Sequence, residues 1–355
     1  MVRPTGSDLQ HDAVSAIVND MTPPKLLITL GDVAGIGPEV VAKGWHELKK
    51  HARPVLVGDV NHMLHAMDHL SGIGGFTGLK PTSWADVDTI LANGDIPIVN
   101  PSSADLSGVK FGEVSAEAGR AAYDWLCFAI DECLAGRADG IVTCPLHKEG
   151  LHGAGVPFPG HTEILADRTG ARSHAMLLYD DELPLAVAHV TLHQSLRSTF
   201  DGITIQTVLD KIRLLDGIIP RLTGTPARIG VAALNPHASD GGLFGNEEAD
   251  IITPAVSKAV ADGVNVVGPI AADAIFLPHN RAKFNGVVCM VHDHGHIAMK
   301  LIGGRRAVNV TAGLPIVRTS VAHGTAYDIA GKGIADESSL LAAVRVAARL
   351  AERRG

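Results

Sequence analysis

Residues 25–39 read KLLITLGDVAGIGPE, and this stretch sets the fold class. Residues 25–29 form a short aliphatic run of strand length. Gly31 to Gly37 is a glycine-rich turn. Pro38 and Glu39 then open a helix, because proline suits the first helical position and an acid suits its electropositive first turn. A strand that turns directly into a helix is the repeating unit of an α/β sheet. The turn does not fit GxGxxG and lacks the Lys-Ser/Thr of a phosphate-cradling loop, so as a nucleotide signal it is weak.

The same alternation continues outward. Further strands are predicted at 53–57, 96–99, 140–143, 176–179, 185–192, 228–234, 286–291 and 307–310. Helices are predicted at 115–135, 204–215, 247–261 and 338–352. The first of these helices has Ala118, Ala122, Trp125, Leu126 and Ala129 at helical spacing. The alternation predicts parallel α/β layers with right-handed crossovers. Residues 25–355 are read as two interleaved α/β/α lobes with a cleft between them. Residues 1–24 are read as a polar extension with a short helix near 13–18.

Composition supports this class. The 355 residues are 46% hydrophobic but only 4% aromatic, so a sizeable core must be built from Ala, Val, Ile and Leu. That suits sheets sandwiched between helices. The net charge of −8 comes with no basic stripe, which argues against a nucleic-acid partner. A small anionic substrate needs only a few local cations and stays compatible. No apolar run reaches the roughly 20 residues of a membrane span, and no secretory leader is recognisable. Cys127, Cys133, Cys144 and Cys289 make neither a CxxC pair nor a disulfide framework, so buried free thiols in a reducing cytoplasm are expected.

Three histidines share a position. His193, His237 and His292 each follow a predicted aliphatic strand. Ligands bind at the carboxyl edge of α/β sheets, where loops vary over a rigid frame. Three imidazoles at that edge fit a divalent metal with open positions for substrate. Singly, each would be read as a capping or core histidine. His161 and Thr162 lie at a predicted helix start, where a hydroxyl, an imidazole and free N–H groups can bind phosphate. The plainer reading makes Thr162 an ordinary N-cap. Lys300, Asn309 and Arg318 flank the last strands and could clamp a phosphate or carboxylate.

Taken together the motifs resemble the 4-hydroxythreonine-4-phosphate dehydrogenase family of vitamin B6 biosynthesis. They are TLGDVAGIGPE at 29–39, CPLHK at 144–148, GHTE at 160–163, LNPHA at 234–238, HDHGH at 292–296 and GLP at 313–315 running into RTS at 318–320. The resemblance implies an isocitrate/isopropylmalate dehydrogenase-like fold and a homodimer with shared active sites. It implies metal ligands at His193, His237 and His292, and substrate contacts at His161, Thr162, Lys300, Asn309 and Arg318. It sets Asp273 beside the metal, as a candidate general base ahead of Lys300. The stretch from His323 to Gly333 is similar to the adenosine loop of isopropylmalate dehydrogenases, implying cofactor contacts at His323, Gly324 and Asp328. An acid at Asp328 suits ribose hydroxyls and repels a 2′-phosphate, favouring NAD over NADP. Ala322, His294 and the Arg305-Arg306 pair depart from the family pattern and border the site.

The implied reaction is metal-dependent oxidation of 4-phosphohydroxy-L-threonine by NAD, giving a 2-amino-3-oxo acid that decarboxylates to 3-amino-2-oxopropyl phosphate. The metal is Zn, Mg, Co or Mn. Rival readings are a same-family dehydrogenase for a threonate or erythronate 4-phosphate or a cis-dihydrodiol, a metal-dependent phosphohydrolase, and a non-catalytic metabolite-binding protein.

Overall fold

The computed structural model describes residues 22–70, 78–171 and 173–353. The helix expected near 13–18 lies outside them. The strands are β1 (Lys25–Thr29), β2 (Arg53–Val57), β3 (Leu79–Pro81), β4 (Ile96–Val99), β5 (Gly140–Thr143), β6 (Ala175–Asp180), β7 (Leu185–His189), β8 (Ile229–Ala232), β9 (Val266–Ile270), β10 (Gly286–Cys289), β11 (Val308–Ala312) and β12 (Arg318–Ser320). They form one sheet in the order β3-β4-β2-β1-β5-β12-β11-β6-β7-β10-β8-β9.

The fold is α/β, but the sheet is not wholly parallel. From β3 to β12 all neighbours are parallel, and so are β7, β10, β8 and β9. Between these two halves, β12–β11, β11–β6 and β6–β7 pair antiparallel. For β6–β7 and β11–β12 the cause is connection length. β6 ends at Asp180 and β7 starts at Leu185, while β11 ends at Ala312 and β12 starts at Arg318. Such short links allow a hairpin, whereas a parallel return needs a crossover of about a dozen residues or more.

The aliphatic composition does what was expected of it. β4, β5, β7, β8 and β10 are buried at every residue. Helix Ala116–Leu134 starts at Ser115, whose hydroxyl accepts from the Ala118 N–H, and it buries Trp125 completely. The Trp125 indole N–H donates to Asn100 Oδ1 at 2.8 Å, so this large apolar side chain leaves no unmet donor. All four cysteines are buried, and none forms a disulfide among the described residues. Among the described residues no helix is long and apolar enough to cross a membrane.

One feature of the sheet positions the site. β7, β10 and β8 are adjacent and parallel. The loops that carry His193, His292 and His237 therefore leave the sheet at one edge, as their positions in sequence suggest. Trp125→Ala should cost about 3–5 kcal/mol by leaving a large cavity; a urea melt followed by circular dichroism measures it, and a loss below about 1 kcal/mol would contradict this account of the core.

Candidate active site

β7 closes at His189, three residues earlier than read from sequence, and His193 lies in the loop beyond. His292 is the first residue of helix His292–Gly303. The two rings sit 5.9 Å apart, centre to centre. His292 does not stand alone. It stacks on His296 at 3.8 Å, and the His296 ring is hydrogen-bonded to His189 across 3.2 Å between Nδ1 and Nε2. A Cβ at Gly295 would collide with the His189 ring, so the glycine of HDHGH is required by this close approach.

Burial favours the neutral form of His189 and His296. It pushes His189 down to about 3 and His296 down to about 4, with the neighbouring rings adding to each effect. His193 is lowered by burial, then by Lys148 and His292. Nδ1 of His292 lies 2.7 Å from Asp293 Oδ1, which leaves Nε2 as the free lone pair. A carboxylate behind an imidazole is the usual outer support of a metal ligand. His193 and His292 thus suit a divalent cation in donor chemistry. His189 and His296 were not singled out from sequence. The four-residue spacing of His292 and His296 on one helix was the available signal.

His237 sits apart from this group. It lines a cavity of about 460 Å³ with Asn235, Ala272, Asp273 and His294. Its loop is unusual: His237, Ala238, Ser239 and Asp240 all have positive φ, from 47° to 66°. Left-handed backbone costs roughly 1–2 kcal/mol per non-glycine residue, so the surroundings must enforce it. Among the described residues no three His, Cys, Asp or Glu side chains converge on one metal position. Asp273 is exposed at the mouth of the His237 cavity.

The anion-binding candidates gather around a different centre. Arg318 is only 4% exposed. Its guanidinium donates to Thr311 Oγ1 at 3.0 Å and Thr143 Oγ1 at 2.7 Å, while Nε has no partner. No carboxylate pairs with it among the described residues, and burial drops its pKa to about 10. His161 is pushed well below its ordinary value by burial and by Arg318 nearby. The helix His161–Thr169 begins at Gly160 with no side-chain cap, so its first N–H groups are free; Thr162 is not the cap. Asn309, on β11, donates to the Val321 carbonyl at 3.3 Å and keeps a buried, unpartnered Oδ1.

Lys300 faces another space. It lines a cavity of about 580 Å³ with Ile36, Ala322, His323, Ala326, Ile329 and Asp336, among others. Gly324 and Asp328 are exposed and do not line it. The acid on the wall is Asp336, which the sequence reading did not select. The loop is fixed from behind by Tyr327, whose hydroxyl donates to buried Asp32 at 2.6 Å and whose ring stacks on His147 at 4.8 Å. Lys300 and His296 share one helix, so this cavity and the histidine group are mechanically joined.

Comparison with known proteins agrees with the motifs. Residues 50–347 match the family described as pyridoxal phosphate biosynthetic protein PdxA. The chain is 40% identical over 341 residues to a D-threonate 4-phosphate dehydrogenase of Bordetella bronchiseptica, covering 94% of this chain and 95% of that protein. It is 42% identical over 325 residues to a 4-hydroxythreonine-4-phosphate dehydrogenase of Beijerinckia indica, covering 92% and 94%. The crystal structure of a 4-hydroxythreonine-4-phosphate dehydrogenase from Burkholderia phymatum superposes with a TM-score of 0.78 at 38% identity, over 93% of this chain and 99% of that one. A terephthalate 1,2-cis-dihydrodiol dehydrogenase from Burkholderia xenovorans is more distant, with a TM-score of 0.62 and 28% identity over 92% and 98%. Motif order, sheet topology and overall similarity lead to one conclusion: the chain belongs to the PdxA family of dehydrogenases.

Proposed function

We propose that this protein is a metal-dependent, NAD-linked dehydrogenase that oxidises a four-carbon hydroxy acid carrying a terminal phosphate. The carrying observation is Arg318, a buried cation with no anionic partner among the described residues and an unpartnered Nε. A buried charge without a counter-ion is costly, so the site is built for an anion that arrives with the substrate. His161, Thr162 and the uncapped helix start add donors for phosphate, and Asn309 offers a buried acceptor to a substrate hydroxyl or amine. This favours a phosphorylated substrate over the dihydrodiol of the more distant relative.

The substrate reading is 4-phosphohydroxy-L-threonine, whose β-keto product would lose CO2. D-threonate 4-phosphate is the second reading, supported by the Bordetella relative, and it presents the same phosphate to Arg318. His193 and His292 would hold the divalent cation, Zn, Mg, Co or Mn, and in a homodimer with shared sites His237 would come from the second copy. When bound, such a cation would supply Lewis-acid stabilisation of negative charge on the substrate oxygen, and NAD would supply the hydride acceptor. The chain's own residues orient and deprotonate: Asp293 fixes the His292 tautomer, and Asp273, or Lys300 behind it, takes the hydroxyl proton. The Lys300 and His323 cavity would take NAD, with Gly324 and Asp328 at its exposed rim and the acid disfavouring NADP. Four reduced, buried thiols support a cytoplasmic setting.

The decisive assay follows NADH at 340 nm with each phosphorylated acid, a divalent metal and NAD, with CO2 measured alongside. Phosphate release without NADH would sink the reading in favour of hydrolysis. Chelation should abolish turnover and added divalent metal should restore it; turnover in full after exhaustive chelation would remove the metal from the account. Arg318→Met should raise KM for the phosphorylated acid about 100-fold. It should leave the unliganded protein no less stable, because it removes an uncompensated buried charge. In chelator-treated protein the depressed histidines set a pH trend. The unfolded chain takes up protons near 6.5, but folded His296 and His189 only near 4 and 3. Their stabilising effect is complete above about 6.5 and is lost as pH falls toward 4 and 3; denaturation midpoints unchanged from pH 7 to pH 4 would contradict it.

A further inference from the structure

Glu248 is a buried carboxylate that the proposed chemistry leaves unused. It is 4% exposed. Its Oε1 accepts the backbone N–H groups of Leu234 at 2.8 Å and Asn235 at 2.7 Å. Its Oε2 accepts from Asn235 Nδ2 at 2.9 Å and from the Ser239 hydroxyl. Glu247 adds a second acceptor for Asn235 Nδ2 at 2.7 Å. Burial alone would raise the Glu248 pKa; the hydrogen bonds from Asn235 and Ser239 reverse that and lower it, so the group is held ionised.

Every one of these donors belongs to residues 234–239. That segment leaves β8 and enters the left-handed turn that contains His237. Asn235 and Ser239 bracket His237, and both are tied to one carboxylate. A turn of four consecutive left-handed non-glycine residues relaxes unless it is fastened. The fastening comes from Glu248–Ile252, a π-helical turn in which the extra residue shifts the helix register.

We infer that Glu248 is the positioning residue for His237, clamping both sides of its turn so that the imidazole faces the cavity shared with Asp273 and His294. The inference rests on the reading that His237 serves the reaction. It concerns a residue that touches neither substrate nor cofactor, and it acts only through the turn.

The test uses Glu248→Ala, Glu248→Gln, His237→Ala and the double variant, assayed with NAD, divalent metal and whichever phosphorylated acid is turned over. Glu248→Ala should lower kcat about 100-fold, the scale of a misplaced group, with little change in KM, since phosphate is held at Arg318. Glu248→Gln keeps an oxygen for the two backbone N–H groups and should retain about a tenth of kcat. The His237→Ala/Glu248→Ala double should be no slower than His237→Ala alone, because two residues acting as one unit do not lose twice. Hydrogen exchange at 234–240 in unliganded protein should quicken in both Glu248 variants. Additive losses in the double variant, unchanged exchange, or full turnover in Glu248→Ala beside a dead His237→Ala would each overturn the inference alone. Full turnover in His237→Ala would overturn the reading beneath it, and the inference with it. If the alanine variant does not fold, Glu248→Gln carries the same cycle with His237→Ala.

Discussion

A positive charge sealed inside the protein without its complement is the constraint around which the site is arranged. Arg318 lies at the start of β12 and, among the described residues, is steadied by the hydroxyls of Thr143 on β5 and Thr311 on β11. Neutral donors and acceptors fix where the guanidinium points without cancelling its charge. The cost of that arrangement is carried by the aliphatic sheet around it. In return the fold holds a ready receptor for the phosphate proposed above.

The histidines make a complementary arrangement. Metal ligation needs imidazoles that are free of protons, and burial lowers the pKa of His193, His189 and His296 in that direction. His189 and His296 form the packed, neutral backing on which His292 rests. Asp293 then fixes which nitrogen of His292 is offered. The same helix runs on to Lys300 at the larger cavity, so one rigid element spans the proposed metal and nucleotide ends of the reaction.

Much of this was legible in the sequence. The aliphatic runs, the proline and acid at residues 38 and 39, and the shared position of three histidines gave the α/β class and one working edge. Periodicity could not show that β6 and β11 run against their neighbours, because pairing direction depends on short connections and not on which residues are apolar. β3, β9 and β12 were not read as strands; two of them are only three residues long, and β9 carries Gly268 and Pro269. Arg318 was picked out, but its lack of a counter-ion is a fact of packing that no linear pattern encodes. His296, Asp336 and Glu248 went unselected for a related reason: each matters through residues far away in sequence or through a loop it supports.

The antiparallel joint at the middle of the sheet has a mechanical consequence. The two parallel halves are not hung on a flexible tether; unbroken ladders of backbone hydrogen bonds pass from β12 through β11 and β6 to β7. Any narrowing of the space between the halves must be elastic flexure of that shared ribbon, spread over many small torsions. The halves are thus joined through the sheet itself, by backbone pairing.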